Sequence, residues 1–214
     1  MSARLAAFAP ERHVVRTTAI APLAPGEPGD YVLRHESRLL SRAGPGGTED
    51  PPVATARWDL LRLGLARDDR IDPYRVVAGD PEMVYAVAAA GDVTGPVPEA
   101  EGPGDVLHFR SVEVEPRADA AGVARALLEH VLRFHAGGSR AAVFVFGRGD
   151  PPAVRDALEA AGFEAIRRIR NMEIHALALS PPRPAPARRR KGTAGTARRR
   201  PGARRTGARR RRRS

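Results

Sequence analysis

Residues 111–128 read SVEVEPRADAAGVARALL, and this stretch decides the fold. An alternating run over Val106–Val114 predicts a strand that breaks at Pro116. A short turn from Asp119 through Gly122 then leads into a helix. Because the first amides of a helix have no intrahelical acceptor, a strand, a small-residue turn and a helix start together form a site for an anion.

The strand–helix alternation continues after this stretch. Residues 121–136 predict a helix with one apolar stripe, and Ala141–Phe146 is a continuous apolar run, as expected for a strand covered on both faces. A second helix is predicted with Asp150 as its cap and Pro151 at its first position, and Gly162 ends it. One or two strands are expected over Ala165–Leu179. In the strand Val106–Val114, alternation is expected to place Val106, His108, Arg110, Val112 and Val114 on one face and Leu107, Phe109, Ser111 and Glu113 on the other.

Upstream of the deciding stretch, the signals are shorter. Ala54–Ala66 predicts a helix because Trp58, Leu61 and Leu65 are spaced to share one face. The other interpretations are a strand over Val14–Ile20, a strand or a helix over Tyr31–Leu40, a loop over Gly44–Pro52, a buried strand over Met83–Ala89 and a long loop over Gly91–Gly104.

Length and composition limit the possible functions. The chain has 214 residues, enough for one domain with a sizeable core. It contains no Cys, so disulfides, thiolate zinc sites and cysteine nucleophiles are excluded. The sequence contains no apolar run of about 18 residues, so no membrane span is predicted. It also shows no apolar core of a signal peptide near the first residue. We expect a cytoplasmic protein with no metal site and no membrane partner.

The net charge of +11 is concentrated in residues 181–214. This tail holds 14 Arg and Lys191 and no acidic residue, which leaves 21 basic against 25 acidic residues in residues 1–180, a net charge of −4. Its Arg, Ala, Pro, Gly and Thr composition predicts disorder. Such an arm can neutralise the phosphates of RNA or DNA without reading their sequence. The alternative is a terminus without function, produced by read-through or a frameshift.

These residues resemble the GNAT superfamily of acetyl-CoA-dependent N-acetyltransferases. The likeness covers about residues 84–175 and is strong over residues 112–163. It lies in Val114-Glu-Pro116, the turn Asp119–Ala124, the helix opening Arg125-Ala-Leu-Leu128 and the later Leu-Glu-Ala-Ala-Gly162-Phe163. The resemblance implies one α/β domain over residues 1–180, a mixed sheet with splayed central strands flanked by helices. The alternative for this segment is an ordinary βαβα unit with a tight turn.

The resemblance implies acetyl-CoA as co-substrate, with its pyrophosphate on the amides of the turn at the positive end of the helix dipole. Its pantetheine arm would pair with the freed strand edge, between Val112–Val114 and Val143–Phe146. The turn usually begins with Gln or Arg. Asp119 would instead repel a phosphate and, as an N-cap, take up amides. The residues implied to bind the co-substrate are Val112, Val114, Arg117, Ala120, Ala121, Gly122, Val123, Ala124 and Arg125.

Acetyl transfer needs a base for the amine, a polarised thioester carbonyl and a proton donor for the thiolate. The donor Tyr and the Asn often found in the family correspond to Leu158 and Pro151, so both groups are missing. The backbone at Val114 would polarise the carbonyl, and water or substrate would protonate the thiolate. Glu113 is implied as the general base, with an exposed strand glutamate as the alternative. His108 is the second candidate base, against a structural or solvated histidine.

Two functions of different classes follow from these residues. The first is an N-acetyltransferase that acts on the amine of a small molecule or a protein. The second is a catalytically weakened GNAT-like binding module that the tail tethers to nucleic acid, an alternative that Asp119, Pro151 and Leu158 favour. An unrelated α/β domain would require the pattern over residues 112–163 to be coincidence. The sequence does not reveal the acceptor.

Overall fold

A computed structural model of the chain describes residues 13–21, 26–41, 51–95, 104–116, 119–147 and 149–179. Seven strands lie in these residues: β1 (His13–Ile20), β2 (Val32–Ser41), β3 (Ala54–Leu61), β4 (Asp105–Val114), β5 (Ser139–Phe146), β6 (Glu164–Ile169) and β7 (Met172–Ala178). They form one mixed sheet in the order β1-β2-β3-β4-β5-β7-β6. Among the described neighbours, β4 and β5 run parallel and the other pairs run antiparallel.

Five α-helices are found in the described residues, and Pro28–Tyr31 adds a 3-10 turn. The helices are α1 (Leu63–Asp68), α2 (Pro73–Val77), α3 (Pro81–Thr94), α4 (Ala120–His135) and α5 (Pro152–Ala160). None of these described helices has the length and apolar character needed to cross a membrane.

The helices cover the sheet on two faces, because neighbouring residues of a strand point to opposite sides. On the face covered by α4 and α5, here called the α4 face, the core includes Trp58, Phe109 and Leu158. On the face covered by α1, α2 and α3, here called the α3 face, it includes Leu61 and Val143. The mixed α/β sheet flanked by helices that the sequence predicts is therefore confirmed.

The predicted helix over Ala54–Ala66 is wrong, because Ala54–Leu61 is the strand β3 and the helix α1 begins only afterwards. β3 lies between β2 and β4 and is largely buried on both faces, so its apolar residues do not alternate. Trp58 and Leu61 fit one helical face by their spacing. In the strand they point to opposite faces and enter different cores.

The predicted strand over Met83–Ala89 is also wrong, because this segment lies inside α3. Asp80 caps the helix, its carboxylate accepting the Glu82 amide at 3.0 Å, and Pro81 occupies the first helical position. The loop predicted from Gly91 therefore begins only after the end of α3, and residues 96–103 lie outside the described residues.

The start of α5 differs from the prediction by one residue. The helix begins at Pro152 with Pro151 at its N-cap position. The carboxylate of Asp150 instead accepts a hydrogen bond from the Gly147 amide at 2.6 Å. Gly162 follows the helix at a φ of 91°, as its predicted role in ending the helix requires.

The remaining predicted elements that fall on described residues are confirmed. The strand over Val14–Ile20 is β1, residues 121–136 form α4, and Ala165–Leu179 supplies β6 and β7. The segment Tyr31–Leu40, which allowed a strand or a helix, is mainly the strand β2. Most of the predicted loop over Gly44–Pro52 and the whole tail lie outside the described residues.

Candidate active site

The parallel strands β4 and β5 separate part-way along their length. Their last paired residues are Phe109 and Phe144. Beyond these residues β4 continues to Val114 and β5 to Phe146 without pairing with each other. A gap therefore opens in the middle of the sheet, as the predicted splay of the central strands requires.

A β-bulge marks the point of separation. Arg57 and Trp58 are adjacent in β3 and pair with Ser111 and Phe109. Arg110 is therefore the extra residue of β4. The bulge reverses the alternation of side chains, so the predicted faces of β4 are wrong beyond it. Val112 enters the core of the α4 face, whereas Val106 lies on the α3 face.

The backbone of β4 turns an unpaired edge to the gap. The Glu115 amide donates to the Val53 carbonyl at 2.8 Å, on the side of β3. Backbone polar groups alternate in direction along a strand, so those of Val112 and Val114 face the gap. This is the freed strand edge that the resemblance assigns to acetyl-CoA.

The turn before α4 is arranged around Asp119. Its backbone carbonyl accepts the Val123 amide at 2.9 Å, and its carboxylate accepts the Gly122 amide at 3.2 Å. A Cβ atom at Gly122 would lie 2.5 Å from the nearer Asp119 carboxylate oxygen, so a larger residue there would displace this carboxylate. The prediction that Asp119 takes up an amide of the turn is confirmed.

The other residues implied to bind acetyl-CoA fall into three groups. Ala120 and Ala121 are half-buried at the start of α4, where the first amides have no intrahelical acceptor. Val123 and Ala124 are buried in the core. The exposed Arg125 donates to Glu129 at 2.7 Å along the helix, and Arg117 lies outside the described residues. These contacts leave the roles of all these residues as predictions.

A pocket of about 690 Å³ lies on the α3 face beside the gap. Two cross-strand pairs form its floor, Arg34 opposite Asp59 and Glu36 opposite Arg57, with Arg110 of the bulge also lining it. We call this the outer pocket. Because it reaches the bulge, it adjoins the point where β4 leaves β5.

Asp59 is a buried carboxylate in the outer pocket. Only 1% of the residue is exposed, and among the described residues neither oxygen has a hydrogen-bond partner. One of its oxygens lies 3.7 Å from His108 Nδ1 and 3.9 Å from Arg110 Nε, both beyond hydrogen-bond length. His108 is fully buried and does not line the pocket. This predicted second candidate base therefore lies next to Asp59 but outside the pocket lining.

Glu113, the residue implied as the general base, is exposed over 62% of its side chain. Its carboxylate contacts the guanidinium of Arg57, which also pairs with Glu36 at 3.2 Å. The pKa of Arg57 is raised above its usual value, mainly because its guanidinium donates a hydrogen bond to Glu113. The partial burial that suited Glu113 to general-base work is not found, and its role stays a prediction.

The structure shows where the two residues lie that replace the Tyr and Asn often found in the GNAT superfamily. Leu158 is fully buried in α5, in the core of the α4 face, and Pro151 serves as the N-cap of that helix. Neither side chain can donate a proton. The described residues include no group of three or more His, Asp or Glu side chains that could hold a metal ion.

The parallel central pair, its splay at a bulge and the turn into α4 are features of the fold that the resemblance implies. The fold is GNAT-like. Similar solved structures include Arabidopsis thaliana NAA60 in complex with acetyl-CoA, with a TM-score of 0.45 and 12% identity over 76% of this chain and 96% of that chain. NAA60 in complex with a bisubstrate analogue gives a TM-score of 0.42 and 14% identity over 69% and 75% of the two chains. A candidate acetyltransferase of Sphaerobacter thermophilus gives 0.36 and 14% over 76% and 77%. No family model and no curated protein sequence matches the chain.

Two buried residues near the gap could not be identified as site candidates from the sequence. Asp59 was interpreted as part of a helix, and the signal that could have found it is a lone carboxylate within the apolar run of a central strand. His175 had no context until β7 placed it opposite Phe144, at the end of the β4–β5 pairing. Burial lowers the pKa of His175, and Glu173, 3.6 Å from its Nε2, opposes this effect.

Proposed function

We propose that the chain is an N-acetyltransferase that transfers an acetyl group from acetyl-CoA to an amine. The observation that carries this proposal is the gap between β4 and β5, where the backbone edge at Val112 and Val114 pairs with none of the described strands. An extended arm that contains amide groups can pair with such an edge as another strand would. The gap also adjoins the start of α4, where Ala120 and Ala121 offer amides to an anion.

The fit of acetyl-CoA to these residues is good in the gap and poorer at the turn. Val112 and Val114 would hold the arm through their backbone groups. At the turn, the Asp119 carboxylate already accepts the Gly122 amide. A pyrophosphate that used this amide would have to displace a carboxylate of like charge, which weakens binding.

The reaction forms a bond between the amine nitrogen and the acetyl carbonyl carbon and breaks the bond between that carbon and sulfur. The amine, which binds as an ammonium, first loses one proton to water. The neutral amine then attacks and gives up a second proton to water, and the departing thiolate gains one. Leu158 offers no donor, so the thiolate takes its proton from water or from the substrate. This remains feasible because a CoA thiolate is a good leaving group.

Calorimetric titration of the full chain with acetyl-CoA tests the proposal. The matched variants are Gly122→Glu, which places a carboxylate in the turn, and Gly137→Glu, which adds the same charge beyond α4 where a Cβ meets nothing within 4 Å. We expect micromolar binding that Gly122→Glu weakens by about tenfold or more and Gly137→Glu leaves unchanged. All three proteins carry the tail, so equal binding by all three would assign the heat to the tail and contradict the proposal.

The second candidate function is a binding module whose tail contacts nucleic acid. The buried Leu158 and the Asp119 cap favour it, because they remove a proton donor and part of the anion site. Its test is binding of the full chain to duplex DNA at rising salt, beside a variant with Arg209–Arg213 replaced by Gln. We expect affinity to fall steeply with salt and the variant to show a smaller slope. Thiol release from acetyl-CoA can be followed in parallel without a signal from protein thiols, because the chain has no Cys.

A further inference from the structure

The ionic groups of the outer pocket divide into paired and unpaired sets. Glu36 pairs with Arg38 at 2.6 Å and with Arg57 at 3.2 Å, and Arg57 also contacts Glu113, so these four groups carry no net charge. Arg34 makes no ion pair within the described residues. Asp59 has a cation, Arg110, at 3.9 Å, but neither of its oxygens accepts a hydrogen bond from the described residues. The pocket therefore contains a guanidinium without an ion pair, at Arg34, and a buried carboxylate that is free to accept hydrogen bonds, at Asp59.

The sheet holds these two groups side by side. Arg34 and Asp59 are directly opposite each other in the antiparallel pair of β2 and β3. Their side chains leave the same face, with Cβ atoms about 5 Å apart. Asp59 is buried whereas Arg34 is exposed. A ligand that enters the pocket therefore meets the guanidinium first.

A carboxylate that accepts no hydrogen bond is costly to bury, and the cost falls when a cation donates hydrogen bonds to it. A ligand ammonium supplies three donors, and a guanidinium accepts a carboxylate through two parallel hydrogen bonds. We infer that the outer pocket is the acceptor site and takes a free amino acid or a similar small aminocarboxylate. Its ammonium lies at Asp59 and its carboxylate at Arg34.

The remaining lining of the outer pocket suits such a ligand. Ile20 is 74% exposed and Thr18 lies near it on β1, which gives the ligand's own side chain an apolar contact. In the register of β3 and β4, Asp59 lies opposite His108, which is two residues before the bulge at Arg110. An amine held at Asp59 is therefore close to the point where the gap opens. This assignment rests on the proposed acetyl transfer, but the binding of the amino acid is measurable without it.

The test is saturation-transfer NMR of the full chain with a mixture of the common amino acids, without and with acetyl-CoA. For the best ligand, the methyl ester removes the carboxylate charge and the 2-hydroxy acid removes the amine. The variants are Asp59→Asn and Arg34→Gln, with Arg38→Gln as the matched control because Glu36 already neutralises Arg38. The unfolding midpoint of each variant and its acetyl-CoA affinity are measured alongside.

We expect at least one amino acid to bind at millimolar concentration or below, and both analogues to bind about tenfold more weakly or worse. Asp59→Asn and Arg34→Gln should weaken binding to a similar extent, and Arg38→Gln should leave it within about threefold. The assignment is overturned if no amino acid binds with or without acetyl-CoA, if the ester binds as well as the amino acid, or if both site variants behave like the control. If the wild-type chain does not bind acetyl-CoA, the proposed acetyl transfer is contradicted instead. The amino acid measurement then still shows whether the outer pocket binds an amino acid.

Discussion

The carboxylate of Asp119 accepts a hydrogen bond from the Gly122 amide at 3.2 Å and so occupies the turn that the GNAT resemblance assigns to a pyrophosphate. A helix cap and a phosphate site compete for the same donor. The cap stabilises the start of α4 in the absence of a ligand. The same contact weakens the turn as an anion site.

Substitution of Asp119 should therefore separate stability from affinity. Asp119→Ala removes the cap and should lower the free energy of unfolding by about 1 kcal/mol. It should also tighten acetyl-CoA binding several-fold, because the Gly122 amide is freed and a negative charge is lost. Asp119→Asn keeps a capping oxygen without the charge, so it should bind more tightly with little loss of stability. Weaker acetyl-CoA binding by both variants in calorimetry would contradict this account.

The position of Leu158 gives a second prediction. Leu158→Tyr restores the hydroxyl that the family often carries, but this position is fully buried in the core. A larger side chain with an unpartnered hydroxyl should cost about 2–4 kcal/mol of unfolding free energy and should not raise the rate of acetyl transfer. Leu158→Met is the volume-matched control and should cost less than about 1.5 kcal/mol.

Denaturant unfolding and thiol release measure the two quantities for the Leu158 variants. A faster Leu158→Tyr enzyme of unchanged stability would show that this residue faces the site rather than the core.

The residues around the turn could be predicted because their signals are local. Pro116 ends a strand, Asp119 caps a helix and Gly162 ends one, and each acts through the backbone of its own segment. The splay was expected only through the resemblance, because the end of pairing after Phe109 and Phe144 depends on two strands that are distant in sequence.

The outer pocket could not be predicted for the same reason. Asp59 becomes a buried carboxylate only when β3 is placed between β2 and β4, and the spacing of Trp58 and Leu61 fits a helix equally well. The bulge at Arg110 has no local signal, since arginine has no backbone preference for an extra residue. Without the bulge, alternation assigns Val112 and Val114 to the wrong face.

The burial of His175 predicts a loss of stability in acid. Burial lowers the pKa of this imidazole, so the folded protein binds its proton less readily than the unfolded chain, whose histidines titrate near pH 6.5. Unfolding then takes up a proton below about pH 6.5, and stability falls as the pH falls, by at most about 1.4 kcal/mol per pH unit for this group. Denaturant unfolding followed by Trp58 fluorescence from about pH 7.5 to about pH 5 measures this slope.

His175→Gln should show a shallower pH slope than the wild-type chain, because the variant has no proton to take up at that position. The burial of His35, His130 and His135 also lowers the pKa of each, so the variant should keep part of the slope. An unchanged slope in His175→Gln would show that the folded state accommodates the imidazolium.

The ion pair of Glu113 and Arg57 predicts a modest effect of removing the carboxylate. Glu113 is mostly exposed, contacts Arg57 and does not line the outer pocket. Exposed ion pairs contribute about 0–1 kcal/mol, so Glu113→Gln should change stability by no more than that. We expect the kcat/KM for acetyl transfer to stay within about threefold, because Glu113 does not line the outer pocket in which we propose that the acceptor binds. Loss of a general base costs about 100-fold or more, so a fall of that size would instead establish Glu113 as the base that the GNAT resemblance implies.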